Sequence, residues 1–194
     1  MADPISTDAL EQIFLKARTH EKWLDKPVDE ALLRRLVEIM ELGPTTSNSL
    51  PARIVFVRSA EAKRRLEPLL DKGNRAKTMQ APVTALIGYD LQFTQKLGKT
   101  YPHKPRAPEW YAGNEAATAF RNGSLQGAYF IIAARALGLD TGPMSGFDND
   151  AVDREFFPGG QVKSNFICSL GYGDPTVLLP RWPRLDFDEV AKFV

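Results

Sequence analysis

The chain has 194 residues, 43% hydrophobic and 25% charged, which suits one soluble domain (residues 1–194) with a sizeable core. Twenty-five basic residues against 24 acidic ones leave a net charge of +1, which argues against wholesale binding to nucleic acid or an anionic membrane surface. One cysteine, Cys168, excludes an intrachain disulfide, and with only two histidines there is no ready set of zinc ligands.

The N-terminus lacks a basic-then-apolar leader pattern, and no apolar run reaches membrane-spanning length. A cytoplasmic protein is expected. Ser6 or Thr7 caps a first helix with Leu10, Ile13, Phe14 and Ala17 on one face. Arg18, His20 and Lys22 then alternate. In an extended segment alternate side chains share a face, so three cationic or potentially cationic groups would converge on an anion such as a phosphate. A solvated basic turn is the alternative.

Asp29 caps a second helix to about Leu42, with a stripe of Leu32, Leu33, Leu36, Val37, Ile39 and Met40. The segment from Gly43 to Arg53 is a loop bracketed by prolines, leading into the strand Arg53–Val57. Asn48 in that loop offers both donors and an acceptor, as the edge of a ring such as flavin requires, although a turn asparagine uses the same groups. Ser59 caps a third helix to about Asp71, shortened or kinked by Pro68. Residues 73–82 read as a basic connection, and Val83–Gly88 as an interior strand.

Residues 91–113 mix three prolines with Tyr101, His103, Trp110 and Tyr111 and keep no apolar period. Such a stretch is a lid or binding wall, or else a tethered surface excursion. His103 could donate a proton only if it folds over a ligand. A long helix follows, from about Asn114 to the stop at Gly138. It is apolar on every face and so is expected to be buried all round. Gly123 and Gly127 leave one flank smooth enough for another backbone.

Gly138–Gly146 reads as a glycine-punctuated loop able to lay the Gly142–Ser145 backbone against a flat ligand. A short helix over Asp148–Phe157 and an interior strand over Ser164–Gly171 come next, with Cys168 in the core. The tail carries Arg181 and Arg184 among prolines and aromatics, as an arm docked on something, such as a second subunit, would. No P-loop and no Ser/His/Asp order suggests a hydrolase. Arg18, His20, Lys22 and Arg184 for a monophosphate, Asn48 for a ring edge, and the Gly142–Ser145 backbone for a ring face together match what FMN needs.

At this point the sequence resembles the nitroreductase family of FMN-dependent oxidoreductases. The marks are Arg18-Thr-His-Glu-Lys-Trp23, Gly43-Pro-Thr-Thr-Ser-Asn48 with Pro51-Ala-Arg53, Ala136-Leu-Gly-Leu-Asp-Thr-Gly-Pro-Met144, and Leu170-Gly-Tyr-Gly173 before Pro183-Arg-Leu185. The wording is most similar to a branch of malonic semialdehyde reductases of pyrimidine degradation, more loosely called NADH dehydrogenase/NAD(P)H nitroreductases. The resemblance implies an α+β fold: a central, mostly antiparallel sheet flanked by helices, a long buried central helix, and an intertwined homodimer with sites at its interface. It implies that Arg18 and His20 contact the FMN phosphate and ribityl, with Lys22 near the pyrimidine edge and Asn48 on the ring or ribityl. Pro143 and Met144 would lie along the ring near N5, and Arg184 would close on the phosphate, with Arg181 a further candidate.

The implied activity is ping-pong hydride transfer from NADH or NADPH through FMN to a small electrophile. Malonic semialdehyde, giving 3-hydroxypropionate, is favoured. A nitroreductase or quinone reductase, or an FMN-binding protein without turnover, is the alternative. His20 stands where the family has a serine, and Leu50 and Ala52 where a Gln and a Trp are common. The ring edge is therefore framed differently, which leaves room for a small aldehyde.

Overall fold

The structure is a computed structural model that describes residues 3–194. In chain order the elements are α1 (Thr7–Leu10, continued by a π-turn over Glu11–Leu15), α2 (Glu30–Glu41), β1 (Ala52–Val57), α3 (Ala60–Leu66), α4 (Lys72–Gln80) and β2 (Val83–Asp90). They continue with α5 (Leu97–Thr100), α6 (Glu115–Ala136), β3 (Asp140–Met144), α7 (Asn149–Phe156), β4 (Val162–Gly171) and α8 (Phe187–Val190). The four strands form one sheet in the order β1-β2-β4-β3, and every neighbouring pair is antiparallel.

β2 is central and almost wholly buried, as its unbroken apolar run requires. Its alternate residues feed two cores. Ala85 and Ile87 pack with Leu33, Leu36 and Met40 of α2 and with Phe130 and Ala133 of α6. Leu86, opposite Ile167 on β4, packs with Leu66 of α3 and Val152 of α7 on the other face. The sheet is thus covered by helices on both sides, an α+β architecture. Caps agree with the sequence: Asp29, Ser59 and Asp148 each accept a backbone N–H of the helix they precede.

Four expectations need correction. α6 is not buried all round: Phe120 is 51% exposed and Leu125 42%. Its glycine flank faces the chain's own sheet and not another backbone. A Cβ on Gly123 would lie 2.8 Å from Tyr89 Cβ, and one on Gly127 would lie 2.4 Å from Phe166 Cε1. Residues 72–80 are a helix and not a connection; with only Ala76 and Met79 as apolar residues they have no stripe to betray it. Residues 140–144 are an edge strand and not an open loop. Gly142 is needed because the carbonyl of His20 lies 2.5 Å from where its Cβ would be, so that part of the bare backbone is covered by the chain itself.

The 91–113 stretch is anchored by its own small cluster, Phe93, Leu97 and Ala107 against Ala119 of α6. Cys168 is fully buried, and burial pushes its thiol up to about 12, so it behaves as a core residue. From residue 179 onward every side chain is exposed, including Trp182 and Phe193.

An exposed helical Gly→Ala change gains about 1 kcal/mol. At Gly127 the contact with Phe166 reverses the sign, because overpacking costs about 1–3 kcal/mol. Gly127→Ala is expected to lower the urea midpoint; a midpoint above that of the parent would show that the flank has spare room.

Candidate functional site

Residues 19–24 form a clasp of two isolated bridges, at Thr19 and Trp23, joined by a bend at Glu21 and Lys22, so the segment is not extended throughout. Thr19 bridges Thr141 in parallel, and the His20 N–H donates to the Thr141 carbonyl at 3.1 Å. On the far side Trp23 bridges Gly173, the Leu24 N–H donates to Tyr172 O at 2.8 Å, and the Asp174 N–H donates to Lys22 O at 3.0 Å. The Trp23 indole N–H adds a bond to the Lys77 carbonyl of α4 at 3.2 Å. The N-terminal basic segment is thereby fixed against the segment that leads to the C-terminal arginines.

Asp140 ties the clasp together. One carboxylate oxygen accepts the Gly173 N–H at 2.8 Å, and the other lies 3.4 Å from His20 Nε2. His20 is buried, and its Nδ1 has no hydrogen-bond partner among the described residues. Gly173 is obligatory beside it, since a Cβ there would sit 1.9 Å from that nitrogen.

Beside the clasp lies a cavity of about 830 Å³ lined by Arg18, His20, Lys22, Arg135, Arg181 and Arg184, together with apolar residues of α1 and the tail. Arg18 donates to the Leu179 carbonyl. Arg181 donates to the carbonyls of Leu15 and Ala17, both at 2.8 Å. Arg184 donates to the carbonyls of Trp182 and Pro183, and Lys22 reaches the Gln80 side chain at 3.4 Å.

None of these four cations has an acidic partner among the described residues. The two acids on the same wall are already engaged. Glu21 pairs with Lys77 at 2.8 Å, and the hydroxyl and amide of Thr176 hold the Asp174 carboxyl below its ordinary value. Uncompensated charge on fixed side chains in a concave wall favours an anion with several acceptor oxygens. The orphaned His20 Nδ1 beside it is the kind of buried polar atom that an absent ligand or a small rearrangement satisfies. The donor set fits a phosphate-bearing cofactor.

The structure therefore brings Arg18, His20, Lys22, Arg181 and Arg184 to one cavity. It does not bring Asn48, Pro143 or Met144 to that wall. Asn48 donates from Nδ2 to the Thr100 carbonyl at 2.8 Å, in a turn where Ser47, Asn48 and Leu50 have φ of 45°, 49° and 43°. Met144 packs on the second core, with its Sδ 3.8 Å from Thr78 Oγ1. Arg135 is a wall residue that sequence reasoning missed, because it is one cation inside an apolar helix.

A second cavity, of about 520 Å³, opens between Pro44–Thr46, Trp110 and Tyr111, and the α6 residues Arg121, Leu125 and Tyr129. Buried α6 amides hold its rim. Asn122 Oδ1 accepts the Thr46 N–H at 2.8 Å, and Gln126 Oε1 accepts the Ala52 N–H at 2.7 Å. Arg121 and Arg135 stand at the two cavities on one helix; 14 residues at about 1.5 Å each place them roughly 21 Å apart.

Fold and cavity define a class: a small α+β protein with a cation-lined wall built from both ends of its chain. Residues 14–172 match the nitroreductase family, and the chain belongs to that family. It is 58% identical over 191 residues to a Burkholderia lata protein provisionally named NADH dehydrogenase/NAD(P)H nitroreductase, covering 97% of each chain. A Caulobacter relative with the same provisional name is 54% identical over 192 residues, with 98% of each covered.

Among solved structures, a Bacillus subtilis protein described as a nitroreductase superposes with a TM-score of 0.89 at 21% identity, over 97% of this chain and 100% of that one. A nitroreductase-type protein from Exiguobacterium sibiricum, solved in complex with FMN, superposes with a TM-score of 0.85 at 19% identity, over 100% of both. These two likenesses establish the fold.

Asp140→Ala removes the acceptor of a buried N–H and the partner of His20. Leaving such a donor unsatisfied costs about 1–3 kcal/mol. Urea denaturation is expected to show a loss in that range, with a smaller loss for Asp140→Asn, which keeps one acceptor oxygen. An unchanged midpoint for Asp140→Ala would show that the clasp does not depend on this carboxylate.

Proposed function

We propose that the chain is an FMN-dependent NAD(P)H oxidoreductase acting on a small electrophile. The observation that carries this is the cavity wall, where cations from residues 18–22 and 181–184 meet without an acidic partner. Arg18, His20 and Arg184 would hold the phosphate and ribityl, and Arg181 would brace the tail against α1. Lys22 would stand by the pyrimidine edge, where positive charge favours the reduced ring. Bound there, FMN supplies reversible hydride carriage between NAD(P)H and the second substrate. The protein's own part is to bind, orient and exclude water, and no nucleophilic side chain is required.

The active form is a homodimer. Phe120 and Leu125 of α6, Leu10 and Phe14 of the first helix, and the apolar tail residues form exposed patches of the kind that association covers. The two cavities lie too far apart on α6 to frame one flavin ring within a single subunit. A two-fold arrangement would complete each cation-lined wall with the 44–50 turn of the other subunit, and Asn48 would reach the ring from there. Pro143 and Met144, which line neither cavity, would meet the ring only by their backbone, beyond the cation-lined wall of the first subunit.

Malonic semialdehyde, reduced to 3-hydroxypropionate, is the substrate we favour. Leu50 and Ala52 support it: the first replaces a polar Gln and the second a bulky Trp common in the family, which leaves the ring edge open to a compact aldehyde. The printed names of the close relatives favour a second reading, an NAD(P)H nitroreductase of broader range. A single buried thiol suits a cytoplasmic location, and no helix among the described residues is long and apolar enough to cross a membrane.

The purified protein is expected to be yellow. NADH or NADPH added without oxygen should bleach the band at about 450 nm on the order of seconds, and admitted aldehyde should restore it. A yellow protein that neither nicotinamide bleaches would be a flavin-binding protein without turnover, and the oxidoreductase assignment would fall.

A further inference from the structure

We propose that the second cavity recognises a carboxylate on the electrophile and that Arg121 is its anchor. The inference rests on the flavoenzyme and homodimer reading above, in which this cavity faces the flavin held by the other subunit, and deepens it by naming a substrate class, small carbonyl or nitro compounds that carry an acid group. Arg121 is the one charged residue on the wall of this cavity. Among the described residues it joins no ion pair and donates no hydrogen bond.

Its own helix offers it nothing. The positions three and four away are Ala117, Thr118, Ser124 and Leu125. Three other surface arginines pair with an acid three or four residues away, Arg34 with Glu30, Arg35 with Glu38 and Arg106 with Glu109, whereas Arg64 and Arg154 have no acidic partner among the described residues; what sets Arg121 apart is its place on this cavity wall. A planar guanidinium without an acid, in a concave wall, matches a carboxylate in a two-pronged contact.

The rest of the wall suits a small organic acid. Trp110 and Tyr129 supply flat apolar surface, and Asn114 supplies a neutral amide. The frame is fixed. Tyr129 OH donates to the Pro44 carbonyl at 2.8 Å, and Tyr111 OH lies 2.7 Å from Ser47 Oγ. Ser47, Asn48 and Leu50 hold left-handed φ in this turn, and Leu50 does so directly before Pro51, where such a conformation is doubly disfavoured. Strain retained beside a cavity wall is consistent with a turn held in place for a ligand.

An acid anchored by its carboxylate presents its carbonyl in one orientation. In the overall reaction NAD(P)H is oxidised. At a carbonyl the hydride forms the new C–H bond at carbon, the C=O π pair moves to oxygen, and a solvent proton completes the hydroxyl. At a nitro group one hydride and one solvent proton leave with an oxygen as water, an N–O bond breaks, and the nitroso compound remains.

The test uses the FMN-loaded protein and two matched pairs: 3-oxopropanoate against propanal, and 4-nitrobenzoate against nitrobenzene. For each pair the ratio of kcat/KM, acid over neutral, is compared between the parent and Arg121→Gln. The ratio is expected to fall roughly tenfold or more, chiefly through KM, with part of it retained in Arg121→Lys. A second readout needs no turnover: quenching of tryptophan fluorescence by 4-nitrobenzoate and by nitrobenzene without nicotinamide. The parent should bind the acid more tightly, and R121Q should bind the two alike.

Equal acid-to-neutral ratios in the parent and R121Q, in both readouts, overturn the proposal. So does a rise confined to the KM for NADPH, which would assign Arg121 to the 2′-phosphate, or a loss of the dimer alone, which would make it an interface ion pair. A protein that NAD(P)H fails to reduce sinks the flavoenzyme reading, while the fluorescence comparison still decides the carboxylate site.

Discussion

The cation-lined cavity exists because residues 19–24 are gripped on both sides. Thr141 takes the N–H of His20 on one side, and the backbone of 172–174 takes Trp23, Leu24 and Lys22 on the other. Asp140 closes the arrangement by serving Gly173 and His20 with separate oxygens. Arg18 then reaches a carbonyl 161 residues away, at Leu179. Four positive side chains held this close would repel one another, and the energy that holds them comes from backbone bonds and from two glycines that admit close approach. The clasp is thus a fixed cost in the free protein that a polyanion would offset on binding.

α6 organises the rest. Its sheet-facing side uses Gly123 and Gly127 to seat Tyr89 and Phe166, which lets a helix of 22 residues lie close on the strands. Its buried amides, Asn122 and Gln126, hold the 44–52 turn through backbone N–H groups. Its outward side carries Phe120 and Leu125 exposed, and its two ends carry Arg121 and Arg135 at separate cavities. One element therefore sets the core, the strained turn and the spacing between the two walls.

Much of this was legible in the sequence wherever burial imposes a period. The runs at 83–88 and 164–171 read as interior strands and are β2 and β4; the stripe after Asp29 is α2. What stayed hidden had no such signal. α4 has no apolar stripe because only Thr78 among its residues is buried. β3 looks like a loop, since Gly142 and Pro143 are poor strand formers, yet its pairing with β4 and the clasp outweigh local preference. The glycines of α6 announced a close approach but could not say to what. Arg18, His20, Lys22, Arg181 and Arg184 stand out in the sequence by alternation and by clustering near prolines, and they line one cavity, whereas Arg121 and Arg135 sit singly in apolar surroundings. Asp140 carries no signal in the sequence because its two partners, 120 residues upstream and 33 downstream, are close only in the fold.

The central claim is that charge from both ends of the chain recognises a phosphate. The most direct measurement compares the dissociation constants of FMN and riboflavin, which share the ring and differ by the phosphate, across a range of salt. FMN is expected to bind roughly a hundredfold more tightly, with the advantage shrinking as salt rises and largely lost in Arg18→Ala/Arg184→Ala. Equal affinity for the two flavins, or an advantage untouched by the double substitution, would contradict the account.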